Sequence, residues 1–359
     1  MNVLILGAGV QGRVVGDALA RRGARVTPAD INPPAGGLVL DARDAVAVEE
    51  AARGMDVAVT TLPASIGTIA LPALLAAGVP TVDVSFTLEL PFHLDADARR
   101  LGVPVLVDFG VAPGLSHVLA AALVRELGEV ESLRILVGGM PLEPPAGFGH
   151  AVYFHALDLL GEYVRPARVR RAGRDEAPDP LSETTRWSDE ELGELDAFPS
   201  DGLRSLLASF PGIPEMEELT LRMPGHLDAM AGLRAKGLLD PANLAQTARA
   251  LERHFPGADH PDHLLMEVQA RRGDEARAFR VHVQREGALT AMSRATAFTA
   301  AAGAVVLAEG AFSEPGVHAP ENLGPQATAR LLEELARDGI HVARASKLRP
   351  LLSPPRATT

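Results

Sequence analysis

The fold is decided by the stretch Asn2-Val3-Leu4-Ile5-Leu6-Gly7-Ala8-Gly9-Val10-Gln11-Gly12. A short apolar run leads into a G-x-G-x-x-G turn, and a helical pattern begins directly after it. In that context the three glycines are typical of dinucleotide binding: they make the tight turn, admit a pyrophosphate and let the helix pack on the sheet. The residues predicted to hold the cofactor here are Gly7, Gly9, Val10, Gln11 and Gly12. A glycine-rich turn without a ligand is the alternative interpretation.

The composition limits the class of protein. A chain of 359 residues is expected to form two domains, and 47% hydrophobic with 22% charged residues is typical of a folded globular protein. The formal net charge of -12 without a basic run argues against a nucleic-acid partner. Cysteine is absent, which excludes disulfides and thiolate chemistry, and Lys236 and Lys347 are the only lysines.

The same sequence predicts a cytoplasmic protein. No basic segment or cleavage site accompanies the N-terminal apolar run, which belongs to the first strand. The longest apolar stretch elsewhere, Ala295–Ala308, is short and rich in small residues. We therefore expect no attachment to a membrane.

Six apolar strands alternate with helical patterns over residues 1–114, which predicts a doubly wound parallel sheet, a Rossmann domain. The strands are Asn2–Leu6, Ala24–Ala29, Leu38–Leu40, Asp56–Leu62, Pro80–Ser85 and Pro104–Asp108. The predicted class is thus α/β, with this domain followed by a second α+β domain that contains a mixed sheet.

Asp30 ends the second strand close to the spacing of the acid that binds the adenosine ribose in such domains. A carboxylate there repels a 2′-phosphate, and no arginine follows nearby to bind one, so NAD is favoured over NADP. Asp41, at the end of the third strand, is placed to reach the adenine amino group. Asp30 as a simple turn residue remains the alternative.

Ligands of parallel sheets bind beyond the carboxyl ends of the strands. Asp83 lies at such an end on the predicted nicotinamide side and is a candidate catalytic residue, with capping of the strand as the alternative. The other cofactor contacts predicted at these ends are Leu62, Pro63, Val84, Ser85, Gly110 and Pro113.

The pattern changes after Gly114, where the first domain is predicted to end. Residues 115–315 read as the substrate and oligomerisation domain, with a hairpin turning at Gly273-Asp274. Its predicted helices include Ala151–Tyr163, Asp201–Ser209 and Met292–Glu309. Residues 316–345, a helix and a short strand, are predicted to return to the Rossmann domain, which leaves 346–359 as a tail.

Several turns are distinctive: G-x-x-P-G within Val107–Ser116, G-G-M-P within Val137–Pro141, D-G-L-R within Ala197–Arg204 and L-R-M-P-G-H at Leu221–His226. In this order they resemble turns of the saccharopine dehydrogenase (saccharopine reductase-like) family. With Leu40-Asp41 and Thr61-Leu62-Pro63, the resemblance runs over nearly the whole chain. Residues 162–167 and 222–226 look most like lysine 6-dehydrogenases, although Phe154-His155, His117 and Met223 depart from the usual residues.

This resemblance implies NAD-dependent oxidation of the terminal amine of an amino acid to an aldehyde, by an assembly of two or more copies. Two alternatives stay open: a reductase that condenses an amine with an aldehyde, as in making saccharopine or carboxynorspermidine, and a non-catalytic nucleotide-binding protein.

Amine oxidation requires a group that takes a proton from the ammonium, and a substrate carboxylate is best bound by arginine. Besides Asp83, the predicted catalytic residues are His155, His226, Tyr153 and, for the substrate carboxylate, Arg222. His117 and Arg204 are further candidates. The run Asp259–His263 lacks the spacing of a helical metal motif and is predicted to be a solvated loop, so no metal is expected.

Overall fold

The computed structural model describes residues 1–345 and 351–352. Its first strands are β1 Asn2–Leu6, β2 Arg25–Asp30, β3 Leu38–Val39, β4 Val57–Thr60, β5 Thr81–Asp83 and β6 Pro104–Leu106. Those that follow are β7 Ser132–Pro141, β8 Val169–Arg171, β9 Arg174–Glu176, β10 Thr185–Asp189, β11 Gly193–Pro199, β12 Glu215–Arg222, β13 Asp262–Arg272, β14 Glu275–Gln284, β15 Gly316–His318, β16 Val342–Arg344 and β17 Leu351–Leu352.

The helices are α1 Val10–Arg21, α2 Ala45–Ala52, α3 Ala64–Ala76, α4 Asp95–Leu101, α5 Leu115–Leu127, α6 Ala156–Gly161, α7 Leu206–Ser209, α8 His226–Ala235, α9 Pro241–His254, α10 Ala291–Ala308 and α11 Pro325–Arg337. Short 3-10 turns lie at Phe92–Leu94, Gly257–Asp259 and Pro320–Asn322.

The chain forms two compact units. The first comprises Met1–Ala122 and Ser293–His341, and the second comprises Leu123–Met292 and the described residues from Val342 onward. The division in α5 lies beyond the predicted boundary at Gly114. Most of α10, predicted in the second domain, belongs to the first unit, because Gly303 packs directly on the Phe109 ring: a Cβ at Gly303 would lie 2.6 Å from the ring.

The predicted Rossmann sheet is confirmed and contains one further strand. Seven strands follow the order β15-β6-β5-β4-β1-β2-β3, and every pair in this sheet is parallel. The seventh strand, β15, comes from the C-terminal part of the chain and pairs with β6. The order reverses between β1 and β4, the place where such sheets bind their ligands.

Helices cover the centre of the sheet because the strands there, β1 and β4, are largely apolar. In β1, Val3, Leu4, Ile5 and Leu6 are all fully buried, as expected for a parallel strand covered on both faces. Helix α1 buries Val14, Val15, Ala18 and Leu19. Helix α11 is tied to the residue after α1 by ion pairs from Arg22 to the buried Glu334 and, at 2.7 Å, to Asp338.

Helix α10 is the one described helix that is long and apolar enough to cross a membrane by length and composition. The expectation that this stretch is too short was therefore wrong about its length. In the structure 83% of the helix is buried inside the protein. Its small residues permit close packing, so it is accounted for as a core helix.

The second unit contains the predicted mixed sheet. Its ten strands include the path β16-β14-β13-β7-β12-β11-β10-β17, with β8 and β9 attached beside β12. Strands β7 and β12 are parallel, whereas β13 pairs antiparallel with both β7 and β14. The hairpin of β13 and β14 turns at Gly273-Asp274 as predicted, since Arg272 pairs with Glu275.

Three predictions in this unit were wrong. The helix predicted over Ala151–Tyr163 shrinks to α6, because Val152 exchanges backbone hydrogen bonds with Phe255 and Gly257 instead. The helix predicted over Asp201–Ser209 shrinks to α7, preceded by Arg204 at a φ of +42°. The last short strand, β16, pairs with β14 of the second unit rather than returning to the Rossmann domain. The predicted tail 346–359 lies largely outside the described residues.

Candidate functional site

The glycine turn joins β1 to α1 with the geometry that its spacing predicts. Gly7 has a φ of +92°, the left-handed region that favours glycine. A Cβ on Gly12 would lie 1.8 Å from the Gly7 carbonyl oxygen, so the helix can pack here only without a side chain at that position. Above Gly9, no described atom beyond its two chain neighbours lies within 4 Å of where a Cβ would be. This open space is what close approach of a pyrophosphate requires.

The start of α1 also fits a bound dinucleotide. Val10, the first helical residue, is 66% exposed, and the N–H groups of this turn have no partners from the helix itself. Gln11 Oε1 is buried and has no hydrogen-bond partner among the described residues. The positive end of a helix, open N–H groups and an unpaired amide oxygen suit a group with phosphates and hydroxyls. Gly7, Gly9 and Gly12 would shape this cradle.

Asp30 lies beside the turn, as its spacing predicts. Its carboxylate accepts hydrogen bonds from the backbone N–H of Ala8 at 2.7 Å and of Asn32 at 2.8 Å. Each carboxylate oxygen has two acceptor sites, so one is left on each for a ribose hydroxyl. Fixing a negative charge here also disfavours a 2′-phosphate. Asp30 therefore fits both its role as a turn residue and its predicted role toward NAD.

Asp41 is held by a neighbour that the sequence did not reveal as its partner. The Arg43 guanidinium forms a two-point ion pair with it, with distances of 2.6 and 2.9 Å. This pairing lowers the pKa of Asp41 to about 2, and the carboxylate stays partly exposed. Contact with an adenine amino group remains a prediction for a residue that already has a cationic partner.

Asp83 lies beneath the carboxyl edge of the sheet rather than on its surface. It is 1% exposed, and its Oδ1 accepts hydrogen bonds from the Thr60 hydroxyl and from the Ser85 N–H. Burial, with a smaller contribution from the Asp108 carboxylate, raises the pKa of Asp83 to about 6, although the hydrogen bonds from Thr60 and Ser85 oppose this shift. These contacts are those of a residue that positions the strand ends.

The remaining predicted cofactor residues lie along the same edge. The Ser85 hydroxyl donates to the Leu62 carbonyl at 3.0 Å, which ties the ends of β4 and β5 together. Pro63 directly precedes α3, and the Val84 N–H donates to the Thr60 carbonyl. This edge brings together the predicted cofactor residues Leu62, Pro63, Val84 and Ser85.

The turn after β6 is compact and carries a buried pair. A Cβ on Gly114 would lie 1.8 Å from the Gly110 carbonyl oxygen, and the Ala112–Pro113 peptide bond is cis. On the helix that follows, His117 Nδ1 lies 3.3 Å from Glu321 Oε2, with both side chains buried. Sequence reasoning found His117 but missed Glu321, because the two are far apart along the chain.

In the second unit, four predicted or neighbouring side chains form a continuous hydrogen-bonded chain, here called the Arg222 cluster: Glu162, Tyr163, Arg222 and His226. The Arg222 guanidinium pairs with Glu162 and donates to the Tyr163 hydroxyl at 2.8 Å. The Tyr163 hydroxyl lies 2.8 Å from His226 Nε2, and His226 Nδ1 lies 2.7 Å from the Phe148 carbonyl oxygen. Each ring nitrogen of His226 therefore has a partner inside the protein.

These contacts change the roles predicted for His226 and Arg222. Since a carbonyl only accepts, His226 carries its proton on Nδ1 and accepts from Tyr163 on Nε2. Burial, aided by the Arg222 charge, lowers the pKa of His226 to about 3, which is unsuited to a general base near neutrality. Arg222 directs its nitrogens to Tyr163, Glu162 and the Leu221 carbonyl, so it is engaged internally and not placed to clamp a substrate carboxylate.

Two other side chains of this unit are buried without partners. His150 is 1% exposed, and neither of its ring nitrogens has a hydrogen-bond partner within residues 1–345. Tyr153 is 7% exposed, and its hydroxyl is equally unpaired in that range. Sequence reasoning named Tyr153 but missed His150, which lies five residues after Pro145 in a loop rich in proline and glycine. Buried polar groups of this kind call for an explanation.

The other predicted residues lie elsewhere. His155 is 61% exposed in its side chain and contacts Asp158, which is typical of a surface residue at a helix start. Arg204 is buried. His263 lies against His282 at 3.4 Å, and burial lowers its pKa to about 4. Among the described residues, no group of three His, Asp or Glu side chains could hold a metal ion.

The first unit defines a class, a Rossmann fold with an open glycine turn after β1 and Asp30 bonded beside it. Residues 110–340 match the family model of the saccharopine dehydrogenase C-terminal domain. The chain therefore belongs to the saccharopine dehydrogenase family, as the turns in its sequence indicate.

The fold agrees with that of a solved yeast structure. The apo saccharopine dehydrogenase (L-Glu forming) from Saccharomyces cerevisiae is similar with a TM-score of 0.78 at 16% identity, over 96% of this chain and 99% of that chain. DAP dehydrogenase from C. glutamicum, in complex with DAP, has a TM-score of 0.49 at 14% identity, over 94% of this chain and 98% of that one. At these identities the yeast enzyme is informative about the fold alone.

Proposed function

We propose that the protein is an NAD-dependent oxidoreductase acting on a C–N bond of an amino acid. In this proposal it oxidises a terminal amine to an aldehyde, in the manner of lysine 6-dehydrogenase. One observation carries the proposal: the open cradle above Gly9, with Asp30 fixed beside it, lies in a chain of the saccharopine dehydrogenase family. The motif likeness at residues 162–167 supports the choice of a terminal amine.

The proposed reaction consumes a primary ammonium, NAD⁺ and water, and yields an aldehyde, ammonium, NADH and a proton. NAD would supply the acceptor for the hydride. Gly7, Gly9 and Gly12 would bind its pyrophosphate, and Asp30 would orient its adenosine ribose. The bonds of Asp83 to Thr60 and Ser85 would keep the strand ends fixed below the nicotinamide.

NAD in preference to NADP is part of the proposal. The Asp30 carboxylate is held by two backbone N–H groups, so it cannot turn away from a 2′-phosphate without losing both hydrogen bonds. Burying a phosphate against a fixed carboxylate is unfavourable.

The test is to incubate the purified full-length protein with NAD⁺ and a panel of amines and amino acids, lysine included, at alkaline pH. We expect NADH and free ammonium to form in equal amounts with a substrate that carries a terminal amine. Equal amounts matter, because oxidation of a secondary amine such as saccharopine forms NADH without releasing ammonium. A Gly9→Val variant serves as the control for contaminating dehydrogenases.

Other results would replace the proposal. NADH formation without ammonium, or NADH consumption with an aldehyde plus an amine, would identify the reductive condensation of related family members. NADH binding with no turnover in either direction would identify a nucleotide-binding protein without this activity.

A further inference from the structure

We propose that the Tyr153 hydroxyl and the His150 imidazole together bind the carboxylate of the amino-acid substrate. This inference rests on the proposed function for the identity of the substrate, but its structural basis is independent. It assigns to His150 and Tyr153 the role that the sequence assigns to Arg222.

The loop that carries both residues is anchored at both ends. The Phe148 carbonyl bonds to His226 at one end of the loop, at 2.7 Å. At the other end, the Val152 N–H donates to the Phe255 carbonyl at 2.9 Å, and the Gly257 N–H donates to the Val152 carbonyl at 3.0 Å. Both ends of the loop are therefore held by hydrogen bonds, whereas its two polar side chains have none among the described residues.

The side chains of His150 and Tyr153 are held in place by packing. The rings of His150 and Tyr153 are 5.6 Å apart in an edge-to-face arrangement, and the His226 ring lies 4.9 Å from His150 on another side. Gly257 contacts Tyr153 so closely that a Cβ would lie 2.7 Å from its ring. Packing thus fixes the orientation of both rings. Neither of them finds a hydrogen-bond partner among the described residues.

The protonation of His150 and Tyr153 decides which hydrogen bonds they can donate. Burial, with a smaller contribution from the Arg222 charge, lowers the pKa of His150 well below its usual value. Burial likewise raises the pKa of Tyr153. Near pH 7 both groups are therefore neutral, and each offers one hydrogen-bond donor, an imidazole N–H and a phenol O–H.

The two donors favour a carboxylate as the ligand. Two neutral donors fixed near each other suit an acceptor with two oxygens, and a carboxylate is the acceptor group that an amino acid carries. The buried Arg222 guanidinium acts on His150 and contributes a positive potential, although its own nitrogens bond within the Arg222 cluster. An ammonium would instead require acceptors, which a protonated phenol and a single imidazole nitrogen supply poorly.

The experiment measures binding without turnover, in the full-length protein saturated with NAD⁺. The probes are L-norleucine, which has the carboxylate but no terminal amine, and pentylamine, which lacks the carboxylate; calorimetry gives both affinities. We expect Tyr153→Phe and His150→Phe each to weaken norleucine binding about tenfold or more and to leave pentylamine and NAD⁺ binding unchanged. His155→Gln is the matched control, because this histidine of the same segment is exposed and its side chain bonds to the exposed Asp158.

The unfolding midpoint of the Tyr153→Phe variant separates a binding role from a purely structural one. Tyr153→Phe removes an oxygen that has no partner in residues 1–345, so its unfolding midpoint should stay equal or rise while norleucine affinity falls. Unchanged norleucine affinity in both variants overturns the inference, as does failure of the wild-type protein to bind norleucine. If norleucine binding is lost in the variants but lysine is not oxidised, the carboxylate site stands and the proposed reaction fails.

Discussion

The polar groups of the glycine turn in the first unit and those of the Arg222 cluster in the second unit behave in opposite ways. In the turn, backbone groups and Asp30 satisfy each other only in part, and the space above Gly9 stays open. In the Arg222 cluster, four side chains are joined along a single chain of hydrogen bonds that ends at the Phe148 carbonyl. An open set of groups is prepared for a ligand, whereas a closed set stabilises the fold.

The largest effect is expected from breaking the hydrogen-bonded chain of the Arg222 cluster. Replacing Arg222 by Met leaves Glu162 without its cation in a largely buried position, and removing one partner of a buried ion pair costs about 3 to 5 kcal/mol of unfolding free energy. Urea unfolding measures this loss. The control is Arg186→Met, which breaks a more exposed pair with Glu194 and should cost at most about 1 kcal/mol. Equal losses in the two variants would contradict a closed, buried cluster.

The two regions should also differ in how pH affects their stability. The pKa of Asp83 is raised to about 6, so its folded-state contribution is complete below the unfolded pKa near 4 and is lost as pH rises toward 6. The loss is about 3 kcal/mol, and Asp83→Asn should abolish it. His226 behaves in the opposite sense: its pKa is lowered to about 3, so its contribution is lost as pH falls below about 6.5.

Unfolding free energies at pH 4, 5.5 and 7 test this contrast. The Asp83→Asn variant should gain on the wild-type protein as pH rises, and His226→Gln should gain on it as pH falls. Parallel pH profiles for wild type and both variants would show that neither group titrates as its burial requires.

A smaller effect is expected at the glycine turn, where it tests the role of Asp30. Asp30→Ala removes the charge that faces a 2′-phosphate, so the ratio of NAD⁺ to NADP⁺ affinity should fall about tenfold, equivalent to about 1.4 kcal/mol. Titration of each cofactor gives the ratio directly. An unchanged ratio would mean that Asp30 serves only to hold the N–H groups of Ala8 and Asn32.

The same contrast explains what the sequence could predict. The Rossmann sheet, the glycine turn and the Gly273-Asp274 hairpin follow from local spacing, because backbone geometry within a few residues determines them. Strand β15 and the pairing of β16 were not foreseen, since short strands gain their identity from distant partners. Side-chain partners were the least predictable: Tyr163 meets His226 across 63 positions, and His117 meets Glu321 across 204.

The roles predicted for candidate catalytic residues were affected most, because those roles depend on partners that are distant along the chain. Histidine and arginine near family-like turns were read as chemically active, yet His226 and Arg222 are each satisfied within the fold. The informative residue was His150, whose lack of partners among residues 1–345 is visible only once the loop is folded.

The central claim is that the open space above Gly9 binds NAD. The most direct measurement is calorimetric titration of NAD⁺ into Gly9→Val, with the unfolding midpoint measured on the same sample. We predict loss of detectable binding with a nearly unchanged midpoint, because the added side chain would fill space that no described atom occupies. Wild-type affinity for NAD⁺ in the folded variant would contradict the account.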